Sequence, residues 1–322
     1  MKFTPFKFQI PLAAGGIALM AFNYLQISAP HGEGLIKWSA ISWPGLTIGQ
    51  ISVYYSLIFI MFSFSVINLG YIFLCLKELA QWLANKDEYQ AFMNESQTKK
   101  IGIFVPIASL SMTASVIFAP VAFFVPQLSS NLQSMMLPGL IFFLILWFML
   151  FRLEFRVLKD WLAHPLDLTQ LNFVWMLDVF AFGLVSLTGT GIAAISTNKT
   201  IASIAAVACF FSLIFGLFLL VAKLAYLIYL QIKAQRLPDN AVLPAYFIVI
   251  PITCLFGFSF YRIATYLQTY LSLDVWVLPF VFLTFSYVVT VGWGAFCLYL
   301  LSRYFKRDFL KSDFSPSQWA MV

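Results

Sequence analysis

Charge is scarce in this chain. Asp, Glu, Lys and Arg make up 10% of its 322 residues, where soluble domains carry about 25%. Hydrophobic residues make up 61%. That excludes an ordinary soluble fold, which needs more polar side chains to cover its surface. Histidine is rarer still. His31 and His164 fall in loops on opposite sides of the topology drawn below, which argues against a bis-histidine haem or a His-based metal centre within a bilayer. Cys75, Cys209, Cys254 and Cys297 each stand singly in an apolar run, with no Cys-x-x-Cys pair. They read as small core residues, not as disulfides or metal ligands. Gly189-Thr190-Gly191 follows no strand and is no nucleotide loop. No cofactor is expected. The net charge of +6 is spread over loops between apolar runs, which is a topology signal and not a nucleic-acid surface.

What the chain does have is length in its apolar runs. Eight runs are about as long as a bilayer crossing, for which roughly 20 residues suffice. They cover 9–28, 49–82, 101–124, 135–159, 171–195, 200–233, 244–267 and 273–305. The chain therefore reads as one all-α polytopic membrane domain over 1–322. The second run is long enough that it must tilt or protrude. The basic start and apolar centre of the first run also suit a signal peptide. Against that, Asn23-Tyr24-Leu25-Gln26 is a poor cleavage region and no soluble domain follows. Of 19 Lys and Arg residues, all but Lys37, Lys199, Arg262 and the embedded Lys223 fall with the N-terminus and the even-numbered loops. That bias puts both termini in the cytoplasm and the protein in a bacterial-type inner membrane.

Three odd-numbered runs share a phrase: Ile10-Pro11-Leu12-Ala13-Ala14, Val105-Pro106-Ile107-Ala108-Ser109 and Ile250-Pro251-Ile252-Thr253-Cys254. In the fifth run the same register holds Leu177-Asp178-Val179-Phe180-Ala181. Pro106 to Asp178 is 72 residues and Asp178 to Pro251 is 73. Internal repeats of helix pairs are common in transporters, and interruptions at matching positions point to the transport path. Proline bends a helix and frees a carbonyl, so the odd runs are expected inside and the longer aromatic even runs outside. The same spacing sets the next copy just past position 322. Trp319-Ala320-Met321-Val322 then reads as the first turn of a further inner helix, and the chain as cut short or as an eight-span variant.

Asp178 lies ~10 Å into its run and Lys223 ~15 Å from the same side, by helix rise. An ion pair is expected, because an unpaired charge in mid-membrane is costly. A functional pair would make Asp178 a proton-coupling carboxylate and Lys223 an anion attractor; a structural one would be a simple internal clasp, or Lys223 would snorkel to the interface. Arg262 and Asp274 are expected to anchor the outer membrane surface. Phe180, Phe182, Phe256 and Phe258 could narrow a pore, although most of 36 phenylalanines must serve packing. Gly183, Gly189 and Gly191 with Ser186 allow close helix approach.

These features together resemble the tellurite-resistance/dicarboxylate transporter (TDT) family, which includes TehA and the slow-type anion channels of plants. The resemblance rests on the paired hairpins, the early prolines of inner runs and Lys86-Asp87-Glu88-Tyr89 before the third run. It rests also on Leu237-Pro238 and Leu243-Pro244-Ala245-Tyr246-Phe247-Ile248 before the seventh, and on Phe314-Ser315-Pro316-Ser317-Gln318-Trp319. It implies a quasi-fivefold helical-hairpin pore fold with inner odd and outer even helices. The hairpins here would be about 9–82, 101–159, 171–233 and 244–305, with 306–322 opening a fifth. It implies a homotrimer that passes small inorganic or organic anions, as a channel or a proton-linked exporter of oxyanions, sulfite, tellurite-related species or C4-dicarboxylates. It also implies a pore-blocking phenylalanine on a ninth helix, beyond the residues present. Pro11, Pro106, Pro251, Asp178, Lys223, Phe180 and Phe256 are the pore and coupling candidates. The alternatives are a non-transporting membrane interaction protein and a membrane-embedded enzyme. The latter would need a cluster of His, Asp, Glu or Cys at one depth, which only Asp178 and Lys223 approach.

Overall fold

The computed structural model describes residues 3–32, 34–163, 171–235, 237–240, 242–309 and 316–321. His164, Phe314-Ser315 and Val322, which the sequence reading used, lie outside the described residues. Among the described residues, eight helices are long and apolar enough to cross a membrane. They contain α1 (Gln9–Ser28), α2 (Ile48–Ala84), α3 (Val105–Val116, within the crossing Ile101–Phe124) and α4 (Met136–Ala163). The other four are α5 (Leu177–Ile195), α6 (Lys199–Ala234), α7 (Val249–Leu271) and α8 (Val277–Leu300). Beyond Val116, α3 runs on through a π-helical turn, Ile117–Val121, that contains Pro120.

Each odd helix is entered through a 3-10 turn: Pro5–Phe8, Ile101–Phe104, Phe173–Met176 and Leu243–Ile248. The repeated phrase marks this handover. Pro11, Pro106 and Pro251 are the third, second and third residues of their helices, and Asp178 is the second of α5. These prolines sit where each 3-10 turn hands over to the α-helix. A fifth 3-10 turn, Pro316–Met321, packs against Leu243–Ile248.

The odd helices pack in a row, α1 on α3, α3 on α5 and α5 on α7, and α1, α5 and α7 each pair with the following even helix. The row is parallel: Gly183 of α5 meets Leu255 of α7, and two turns further on Gly191 meets Arg262. The middle of the row is the most enclosed part, with 78% of the most apolar stretch of α3 and 72% of that of α5 buried, against 11% for α8. Close approach explains this at Gly189, where a side chain would run into Phe143 of α4 and Cys209 of α6. Hydroxyls tie α3 to α5: Ser111 Oγ lies 2.9 Å and Ser115 Oγ 3.3 Å from Thr188 Oγ1. Three cysteines are buried as expected, but Cys254 is exposed, on the edge of α7.

Candidate functional site

The strongest cluster of ionisable side chains lies between α4, α5 and α6, at the end where the odd helices begin. Asn172 caps the turn before α5 by accepting the Val174 N–H at 2.9 Å. That turn presents Asp178 one residue inside the helix. The Asp178 carboxylate accepts the Val179 N–H at 2.6 Å and forms a buried ion pair with Lys223 of α6. The Lys223 ammonium also donates to the Trp175 carbonyl at 3.0 Å. It lies 4.5 Å from the ring centres of both Trp161 and Trp175. Aromatic faces of this kind attract a desolvated cation. Asp178 is fully buried and Lys223 nearly so.

The third member escaped the sequence reading. Glu154 of α4 is fully buried, interacts electrostatically with Asp178 and Lys223, and neither of its oxygens has a hydrogen-bond donor. The signal was there: Phe143, Leu146, Leu150, Glu154, Val157 and Trp161 form the buried stripe of α4, at the spacing of one helix face. Arg152 and Arg156 fall off that stripe. Two carboxylates thus face one ammonium out of contact with water. Buried charge of this kind is costly unless it is compensated.

The other candidates separate by where they point. Pro11 and Pro106 are buried, and the Pro11 carbonyl accepts Asn68 Nδ2 of α2 at 2.6 Å. Phe256 is buried in the wall, where its ring meets Gly216 of α6 and Gly183 of α5. Phe182 is likewise enclosed, by Phe151 and Phe215. In α5 only Phe180, Gly191, Ala194 and Ile195 are not buried. Phe180 and Gly191 are three turns apart on one side of the helix, so this is the open face between α3 and α7. Arg262 reaches that face from α7. Asp274 sits exposed in the loop before α8. Arg262 lies in the body of α7, about 13 Å short of that helix's end, and its guanidinium is level with Gly191, about one turn from the end of α5. Among the described residues no group of three or more His, Cys, Asp or Glu is arranged to hold a metal ion.

An all-helical, multi-span protein with a buried ion-paired cluster among its described residues has the build of a transporter or channel. The chain belongs to the voltage-dependent anion channel family, which it matches over residues 2–322. This is the family grouping that the TDT resemblance indicated, and it is one of channels and transporters, not enzymes. No curated protein and no solved structure matches the chain. Anion transport is the general function that family membership and architecture support.

Proposed function

We propose that the protein passes small anions along the open face of its odd helices, α1, α3, α5 and α7, in a quasi-fivefold pore of inner odd and outer even helices. The observation that carries this reading is the parallel row of odd helices, each begun at the same register by a 3-10 turn, in a chain of the anion channel family. The fifth turn, Pro316–Met321, stacked on the fourth, supports a fivefold repeat with 306–322 leading into a fifth hairpin. Phe180 is the aromatic residue of α5 that narrows the path, while Pro251 sits partly open at the entrance of α7. Pro11, Pro106 and Phe256 act in this reading by shaping the wall.

Asp178, Lys223 and Glu154 serve as the coupling element. Being in the wall, they act on the path through the position of α5, and a proton gained or lost by the carboxylate pair changes the net charge there. The ionic substrates expected are oxyanions, sulfite, tellurite-related species or C4-dicarboxylates, the assembly is a homotrimer, and both termini face the cytoplasm across an inner membrane. Purified protein in liposomes tests the core of this: with the potassium salt of nitrate or sulfite outside and valinomycin present to carry potassium in, the anion should enter faster than into vesicles without protein. Permeability equal to that of empty vesicles for every anion tried would reject the transport reading. Asp178→Asn should then remove the pH dependence of the flux while the protein remains folded.

A further inference from the structure

The four odd helices and their lead-in turns carry only three charged side chains: Lys7, Asp178 and Arg262. Lys7 is paired with Glu78 at 2.7 Å, and Asp178 with Lys223. Among the described residues Arg262 has no carboxylate partner. Its Nη1 donates to the Leu187 carbonyl at 3.0 Å, and its guanidinium carbon lies 4.3 Å from the centre of the Phe258 ring. That uses one of five N–H donors. The guanidinium stays charged at any physiological pH. A charge within a span is expensive unless something compensates it, and neither a ring face nor one carbonyl neutralises it.

Its position says what could. Nη1 would lie 3.2 Å from a Cβ placed on Gly191. Gly191 is one of the few α5 residues on the open face, so the guanidinium stands at that face. The lack of a side chain at Gly191 leaves the space that the guanidinium occupies. We infer that Arg262, seated between Leu187, Gly191 and Phe258, is a binding site for a small inorganic anion on the inner face. The inference rests on the anion-transport reading for its function, and on the unpaired guanidinium alone for binding. A guanidinium presents parallel N–H groups matched to two oxygens of a planar or trigonal oxyanion. The site therefore prefers nitrate to chloride.

The test uses the full chain, purified in detergent and reconstituted in liposomes, with nitrate and chloride as probes. Arg262→Gln keeps a donor for the Leu187 carbonyl, and Arg262→Lys keeps the charge without the fork. The wild type should show a saturable rise in Tm with nitrate and a weaker one with chloride. R262Q should weaken the nitrate midpoint by roughly ten- to a hundredfold, the range for a charged hydrogen bond. R262K should bind both ions with no preference for nitrate. The same nitrate midpoint in R262Q, or no saturable nitrate effect in the wild type, would overturn the site. Should R262Q fail to fold, R262K decides: an unchanged preference for nitrate over chloride overturns the proposal. Wild-type flux separates the two readings. Flux that persists with an unaltered R262Q rejects the site and leaves transport standing. Nitrate binding without any flux rejects transport and leaves the site standing.

Discussion

At Lys223 the ammonium has an ion-pair partner, a carbonyl and two indole faces, and almost no water. Lys223→Met strips the partner from a buried carboxylate and should destabilise the protein by about 3–5 kcal/mol. The double variant Asp178→Asn/Lys223→Met removes both charges and should recover much of that loss. Denaturation in detergent as a double-mutant cycle measures it, and losses that simply add would refute direct coupling. Glu154→Gln is expected to fold normally, since an amide fills the same volume and can donate to Asp178, and to flatten the pH profile of flux as Asp178→Asn does. The pair of Asp178 and Lys223 was legible in the sequence because helix rise alone puts both at a similar depth. Glu154 was not, because it sits between two arginines and only the facing of α4 separates it from them. Arg262, near the far end of its apolar run in the sequence, lies level with Gly191 in the last turns of α5, and its side chain packs onto the helix row.

At the level of single helices, caps and close approaches can be tested apart from any function. Asn198 caps α6 through the N–H groups of Thr200 and Ile201, at 2.9 and 3.2 Å. Asn198→Ala should cost about 1 kcal/mol of stability. A larger effect is expected at Gly189, where an added Cβ would come within 2.5 Å of Cys209 Sγ and of the Phe143 ring. Gly189→Val should destabilise by about 1–3 kcal/mol or more through overpacking, read as a lower Tm in detergent, whereas Gly49→Ala, with nothing near it, should leave Tm unchanged. The eight spans were readable from apolar length alone, and the proline phrase correctly located a repeated feature. Its form was not readable. Proline is compatible with both a bend and a helix start, and the 3-10 turns that precede the odd helices leave no composition signal.

Across the whole molecule the burial gradient runs from the enclosed α3 and α5 to the bare α8, whose Phe280, Phe285 and Tyr287 are exposed. In a bilayer such a face meets lipid or another polypeptide. Cross-linking of the reconstituted protein should give trimers. Labelling from either side should reach Lys37 and Lys199 from one side and Lys306 from the other, and labelling of all three from the same side would contradict the eight-span topology. The parallel course of the odd helices has a last consequence. Each helix carries the equivalent of about half a positive charge at its start and half a negative charge at its end. With α1, α3, α5 and α7 aligned, these partial charges add, so the inner face is electropositive where the helices begin and grows electronegative towards their far ends. An anion drawn in at the start meets rising repulsion as it advances, and Arg262, midway along α7, stands where that slope begins to turn against it.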